Sequence, residues 1–476
     1  MKLEKIIYLV LFAVLLLSCQ PDDEFVTPQT LVESIQASSA KNNVLHIQIE
    51  LKFRKPATAE VSYWKLSDPG NKKSVSNVYA SEANAQTLHI LFLEETTKYE
   101  FEVKVRSGKE WTTTQKYQFT TSSLPTNVPS YTIDENQLKA PLGGYILTQQ
   151  REKPGAITMI NEEGKVVWYY FSNAFMTSSN YNPNYQTITC TTGNSLGREG
   201  RSVFVIDLLG NLLFNKLGTE LARELVHHDA KMLDDGTIAV ISQVPEQFDL
   251  SSVGGASDQT VVGEGINIYD LQGNSLWDWS CFDERNPIDD PAIVDGIEST
   301  GASRLNDWLH ANSVSEDKDG NLLISFLNDS EIWKINRETR KIMWRLGEKG
   351  DLEITGLKTP MSGVHSVYID NAGKLSFLDN GMANQESKFM KFDIDETTKK
   401  ANVLMQTAFP KEYASRFMAN AEEIDDHYLL FGSSTNKKIL ISDREGKLLW
   451  LCTAPHTLYR ANFVKYADIE QYNNQK

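Results

Sequence analysis

The chain has 476 residues, 41% of them hydrophobic and 23% charged, with a formal net charge of −16. That length suits two or three domains with a large buried core, and the ordinary apolar content argues against intrinsic disorder. The acidic balance, with no basic stripe to displace counterions, argues against nucleic-acid binding.

Lys2 and Lys5 precede an uncharged apolar run, residues 6–17, which is too short and wrongly flanked for a membrane-spanning helix. It ends in Leu16-Leu17-Ser18-Cys19, similar to a bacterial lipobox. Residues 1–18 are therefore expected to be a lipoprotein signal peptide, with Cys19 diacylated as the mature N-terminus; an ordinary secretory signal with a chance cysteine is the plainer alternative. This predicts a cell-envelope protein held by a lipid anchor in the outer membrane, periplasmic or surface-exposed. Residues 19–30 form an acidic tether, which resembles a surface-export signal and reads equally well as a solvated spacer. The remaining cysteines, Cys190, Cys281 and Cys452, are odd in number and lack metal-site spacing, so buried thiols are expected.

Residues 31–122 show period-two alternation, clearest in Leu45-His46-Ile47-Gln48-Ile49-Glu50-Leu51 and Tyr99-Glu100-Phe101-Glu102-Val103-Lys104-Val105. Half-buried antiparallel strands alternate in this way. Leu93, Thr97 and Tyr99 resemble the tyrosine-corner region of fibronectin type III modules, so a small fibronectin type III-like β-sandwich is predicted. His46 and His89 lie on its strands and read as surface or packing residues. Residues 123–131 belong to a Pro/Ser-rich linker.

From residue 132 to the C-terminus a unit recurs: an apolar strand, a turn usually carrying glycine, and a strand ending in an aromatic. Its terminal residues are Trp168, Phe214, Trp277, Trp344 and Trp450, with a weaker copy between Phe389 and Met405. Repeats about 45–65 residues apart are in the range of propeller blades with loop insertions, and about six copies fit the length. The predicted fold class is all-β, a six-bladed β-propeller following the sandwich. The terminal aromatics are expected to pack between blades. Two long loops, 248–263 and 281–306, interrupt the pattern.

A second strand pair precedes each aromatic hairpin, with turns at Asp235-Gly236, Asp319-Gly320, Asn371-Ala372-Gly373 and Asp425-Asp426. His228, His310 and His365 each fall a few residues before one of these turns. Strand starts at one repeat phase ring one end of a propeller channel, so the three imidazoles are expected to converge. His227 is expected to point to the opposite face; His427 and His456 lack the phase and read as structural or exposed. Converged imidazoles suit nucleophilic, acid–base or anion-binding chemistry, and also metal binding.

His227-His228-Asp229-Ala230-Lys231-Met232-Leu233-Asp234-Asp235-Gly236, Asp307-Trp308-Leu309-His310-Ala311-Asn312-Ser313-Val314, Gly363-Val364-His365-Ser366 and Tyr459-Arg460-Ala461-Asn462 resemble motifs of the bacterial arylsulfate sulfotransferases, which work without phosphoadenylyl sulfate. The resemblance covers about residues 141–469 and includes the two-domain architecture. It implies transfer of a sulfuryl group from an aryl sulfate ester to a phenol, with no cofactor and no metal. His365 would attack sulfur and become sulfohistidine, His310 would exchange protons with the phenols, and His228 would bind sulfuryl oxygens. Asn312 and Asn328 are expected to contact substrate. One departure is notable: where the family has an arginine, after the second motif, this chain has Leu327. Two alternatives remain open: a surface propeller that has lost catalysis and binds sulfated glycans or phenolics, and a metal-dependent lyase or hydrolase.

Overall fold

The computed structural model describes residues 27–76, 81–193, 200–221, 225–298 and 304–469. The proposed lipidation site, Cys19, lies outside the described residues.

In the N-terminal domain the alternating segments are strands. Tyr99, Phe101, Val103 and Val105 of Lys98–Ser107 turn inward onto Leu45, Ile47, Ile49 and Leu51 of Asn43–Lys65. That long strand serves two sheets. Its first half pairs with Val32–Ala40 and Ala83–Ile90, its second with Lys73–Ser76 and Lys98–Ser107, and the ladder shifts register between Lys52 and Ala57, around Pro56. Proline has no amide to donate, so the break falls there. The Tyr99 hydroxyl accepts the Glu94 amide at 3.0 Å, a link of tyrosine-corner type. The domain rests on the propeller: Asn43 Nδ2 donates to the Tyr169 carbonyl at 3.0 Å, and the apolar core runs on into Leu142, Ile146 and Ile160.

The rest of the chain is a six-bladed β-propeller. The strands nearest the axis are Leu458–Lys465 (blade 1), Phe175–Asn182 (blade 2), Val226–Met232 (blade 3), Ala311–Glu316 (blade 4), Val364–Ile369 (blade 5) and Asn420–Glu423 (blade 6). Both ends of the domain close the ring. The C-terminal strand Leu458–Lys465 pairs with Gly144–Gln150 as the inner strand of blade 1, and Thr132–Asn136 pairs with Leu448–Thr453 at the outside of blade 6.

The recurring aromatic joins blade to blade. The indole N–H of Trp168 donates to the Leu208 carbonyl at 2.8 Å, Trp277 to Arg337 at 2.7 Å, Trp344 to the Glu396 carboxylate at 3.0 Å, and Trp450 to the Glu162 carbonyl at 2.8 Å. Each acceptor lies in the corresponding turn of the next blade, so one side chain fills the apolar seam and satisfies its polar atom there.

The two long loops carry regular structure among their described residues. The first is an extension of blade 3, in which Phe248 pairs with Gln259 at the end of an unbroken ladder. The second contains the helix Pro291–Glu298, and Asp290 just before it receives the Trp308 indole and the Arg285 guanidinium, each at 2.8 Å. Cys190, Cys281 and Cys452 are buried free thiols.

Candidate active site at one end of the propeller axis

The axis is lined with buried polar side chains, and blades 2, 4 and 6 use an asparagine as a lock. Asn180 Nδ2 donates to the Ala230 carbonyl of blade 3 at 2.9 Å, Asn312 to the Val364 carbonyl of blade 5 at 2.8 Å, and Asn420 to the Ala461 carbonyl of blade 1 at 2.7 Å. Five of the six inner strands also shift register near their start. Bulges of this kind turn side chains out of the ladder and are common beside active sites.

At that rim, residues at the starts of four inner strands adopt left-handed backbone: His228 at φ 55°, His310 at 57°, Ser366 at 56°, and Met418 and Ala419 at 58° and 75°. Such conformations cost about 1–3 kcal/mol each for residues other than glycine, and they concentrate at functional sites. They also correct the simple phase argument. His228 and His310 are themselves the left-handed residues, whereas His365 stands one position earlier. The third imidazole therefore enters from a different backbone direction.

The three predicted histidines nevertheless meet. The rings of His228 and His310 have centroids 4.8 Å apart. Tyr459, from the closing strand, bridges the other pair: its hydroxyl lies 2.9 Å from His228 Nδ1 and 3.4 Å from His365 Nε2. Depth is graded, with His365 only 2% exposed, His228 8% and the His310 side chain 23%. His227 does not turn to the opposite face as expected: its ring centre lies 4.8 Å from that of His228 in an edge-on contact, and its Nε2 lies 2.7 Å from the buried Glu264 carboxylate. His427 is exposed, His456 pairs with Glu152, and His46 is buried against His89 in the N-terminal domain.

Hydrogen bonds orient two of the rings. Ser366 Oγ donates its one proton to the Ala419 carbonyl at 3.0 Å, so at the 3.0 Å contact with His365 Nδ1 it must accept. Neutral His365 then carries its proton on Nδ1 and its lone pair on Nε2, facing the other rings. His310 Nδ1 lies 2.7 Å from the Asp307 carboxylate, so a neutral ring that directs Nδ1–H to that carboxylate carries its lone pair on Nε2.

Burial, reinforced by neighbouring histidines and arginines, holds the pKa of His228 and His365 well below the imidazole value of 6.5. Both rings are neutral at neutral pH. Burial also pushes the Tyr459 phenol up to about 12, so it keeps its proton.

Two expected substrate contacts are already engaged. Asn328 donates both amide hydrogens to the Asp307 and Trp308 carbonyls, at 2.9 and 3.3 Å, and so braces the loop that carries His310. Asn312 locks blade 4 to blade 5, and its Oδ1 accepts from Ser325 at 2.7 Å. Neighbouring carboxylates are also committed: Asp229 to Arg460, Asp307 to His310 and Glu264 to His227. The one cluster of acids spaced for a cation among the described residues, Asp317, Asp319 and Glu396, surrounds the Lys334 ammonium at 2.6–2.7 Å.

Sequence reasoning assigned no role to Asp307, Ser366, Tyr459 or Arg460, although all four stand within the quoted motifs. Arg151, whose Cζ lies 5.5 Å from the Tyr459 ring centre, had no motif to flag it.

Among solved structures, a protein of unknown function from Bacteroides caccae is similar, with TM-score 0.43 and 13% identity over 68% of this chain and 100% of that one. Virginiamycin B lyase from Staphylococcus aureus is also similar, with TM-score 0.32 and 10% identity over 68% of this chain and 99% of that one. No curated protein matches the chain. The family model described as Arylsulfotransferase (ASST) matches residues 132–448.

Proposed function

The chain belongs to the arylsulfotransferase family, and from that premise we propose that it carries a sulfuryl group from an aryl sulfate ester to a phenol through a sulfohistidine on His365. The observation that carries this reading is the Ala419–Ser366–His365 hydrogen-bond chain, which leaves an imidazole lone pair on Nε2.

In the first half-reaction, Nε2 of His365 forms a bond to sulfur while the ester S–O bond breaks. The departing phenolate takes a proton from His310 Nε2, and the Asp307 carboxylate beside Nδ1 stabilises the imidazolium that supplies it. Ser366 accepts the Nδ1–H of the sulfonated ring, whose positive charge strengthens that hydrogen bond. With the Tyr459 hydroxyl donating to its Nδ1, His228 presents Nε2–H to a sulfuryl oxygen. In the second half-reaction an acceptor phenol returns a proton to His310, its oxygen attacks sulfur, and the N–S bond breaks. The burial gradient suits this order: the nucleophile is deep, and the residue that handles the phenol lies nearer solvent.

The donor and acceptor would thus be small phenolic molecules. The basic start, the apolar run and Cys19 support a lipid-anchored protein of the cell envelope; labelling with a radioactive fatty acid, lost in Cys19→Ala, tests that part. For the chemistry, the test is transfer from 4-nitrophenyl sulfate to phenol, followed by mass spectrometry of the donor-treated enzyme. A mass increase of one sulfuryl group on the peptide containing His365, absent together with turnover in His365→Ala, is expected. Full turnover in His365→Ala ends the proposal. Saturable binding of aryl sulfates without turnover in the unaltered protein favours a binding propeller instead.

A further inference from the structure

Two arginines approach the histidine cluster from blade 1, and their situations are opposite. Arg460 is committed. Its Nη1 lies 3.0 Å from the Asp229 carboxylate and 3.3 Å from Asn180 Oδ1, and its Nη2 donates to the Asn312 carbonyl at 2.8 Å. Arg151 follows the strand Gly144–Gln150, and its backbone amide is held by the Thr457 carbonyl at 2.9 Å. Among the described residues its guanidinium meets neutral groups: Nη1 lies 2.7 Å from Met418 Sδ, and Cζ lies 5.2 Å from the Phe175 ring centre and 5.5 Å from that of Tyr459. Among the described residues no carboxylate is ion-paired with it. The adjacent Glu152 is turned to His456, and Asp229 to Arg460.

This is an unusual place for a guanidinium. A thioether is a poor acceptor, and aromatic faces satisfy the charge without using the N–H fork. Partial burial without an anion is unfavourable, and an arriving tetrahedral oxyanion would relieve it with paired, charge-assisted hydrogen bonds. The location is also informative, because Tyr459, on which Arg151 rests, is the residue that touches both His228 and His365. On the far side of the cluster Leu327 brings no charge: its amide is held by the His310 carbonyl at 3.0 Å, and its side chain packs beside Gly363. Burial lowers the pKa of Arg151, and its charge in turn helps to depress that of His228, so the two groups sense each other electrostatically.

We infer that Arg151 is the cation that receives the sulfuryl oxygens of an aryl sulfate, reaching the reacting group from blade 1 across the Tyr459 ring. The inference rests on the sulfotransferase reading above. It makes Arg151 a substrate-binding residue that neutralises charge on the group in transit, with Met418 and the two aromatic rings setting its direction.

The test uses the full chain with Arg151→Met and Arg151→Lys, each read three ways: transfer from 4-nitrophenyl sulfate to phenol, calorimetric binding of 4-nitrobenzenesulfonate, which cannot transfer its group, and thermal unfolding. Arg151→Met is expected to lower kcat/KM about 10²–10³-fold, the usual loss on removing one strong donor to a developing anion. It should also weaken sulfonate binding at least tenfold without shifting the unfolding midpoint, and Arg151→Lys should recover part of both losses. Turnover and sulfonate binding within threefold of the unaltered protein in Arg151→Met overturn the inference. So does a loss that accompanies a lowered unfolding midpoint and is not recovered by lysine, because that marks a packing role. If the unaltered protein forms no sulfohistidine and turns nothing over, the sulfotransferase reading falls by itself. Sulfonate binding then still decides whether Arg151 holds an oxyanion: binding that Arg151→Met loses supports the site, and equal or absent binding overturns it.

Discussion

Arg460 Nη1 lies 3.0 Å from the Asp229 carboxylate, and the two side chains are 2% and 0% exposed. The pair joins the closing strand of blade 1 to the inner strand of blade 3, across the axis and directly beneath the histidines. Removing one partner from such a pair strands the other charge in a buried site, at a typical cost of about 3–5 kcal/mol. Asp229→Ala is therefore expected to lower the unfolding free energy of the propeller by about that amount. Arg460→Met combined with Asp229→Ala should be less destabilised than Asp229→Ala alone, because no unpaired charge remains. Denaturant titration of the unaltered protein and the two variants reads the difference directly.

The Ser366–His365 contact has its own consequence. Without the serine oxygen, Nδ1–H of His365 loses the acceptor that sets the tautomer and that, in the proposed mechanism, stabilises the positive ring of a sulfohistidine. Hydrogen bonds to charged groups are worth about 1.5–3 kcal/mol, so Ser366→Ala is expected to lower kcat about tenfold to a hundredfold. The fall should appear in kcat more than in KM, since the ring is charged only after attack, and single-turnover kinetics on a chromogenic sulfate separates the two.

His310 and Asp307 should respond to the quality of the leaving group. A phenolate of low basicity leaves without help, whereas a basic one needs the proton, which contributes about 10²–10⁴-fold when a positioned acid supplies it. Asp307→Asn and His310→Ala are expected to slow phenyl sulfate far more than 4-nitrophenyl sulfate. Equal losses on both donors would show that His310 does not deliver the proton.

The pH profile should show its acid limb at an unusual place. Burial sets the pKa of His365 and His228 below 6.5, so both rings stay neutral as pH falls through 6.5, and the proposed nucleophile is lost only well below it. The logarithm of kcat/KM is therefore expected to carry no protonation step of these two residues between pH 7 and 6. Chemical-shift titration of labelled histidine checks the same point without turnover.

Acid should weaken the N-terminal domain earlier than the catalytic chemistry. His46 is buried against His89, and burial first, then the neighbouring ring, takes its pKa from 6.5 to about 3. The unfolded chain binds the proton below pH 6.5 and the folded one does not, so stability is intact above 6.5 and falls between 6.5 and about 3. The slope is about 1.4 kcal/mol per pH unit. His46→Gln removes this titration and is expected to recover about 2 kcal/mol of the acid sensitivity at pH 5, measured as the difference in unfolding free energy from pH 7.

Much of this architecture was legible in the sequence because strands and turns are written locally. Alternation in Tyr99 to Val105, glycine at the hairpin turns and a tryptophan at four of the repeat ends all reflect contacts within one blade or with the next. A repeat of that kind also brings His228, His310 and His365 to a common rim, and their approach needs no further information than the ring itself. The residues that complete the site are decided differently. Tyr459 and Arg460 reach His228 and Asp229 only because the C-terminal strand closes blade 1, more than two hundred residues away in the chain. The backbone offset that turns His365 inward, the serine that selects its tautomer, and the thioether and aromatic setting of the Arg151 guanidinium depend on where six inner strands end around one axis. Local pattern fixes the period of a strand, but ring closure chooses its neighbours across the axis, and the electrostatics of the cluster follow from those neighbours.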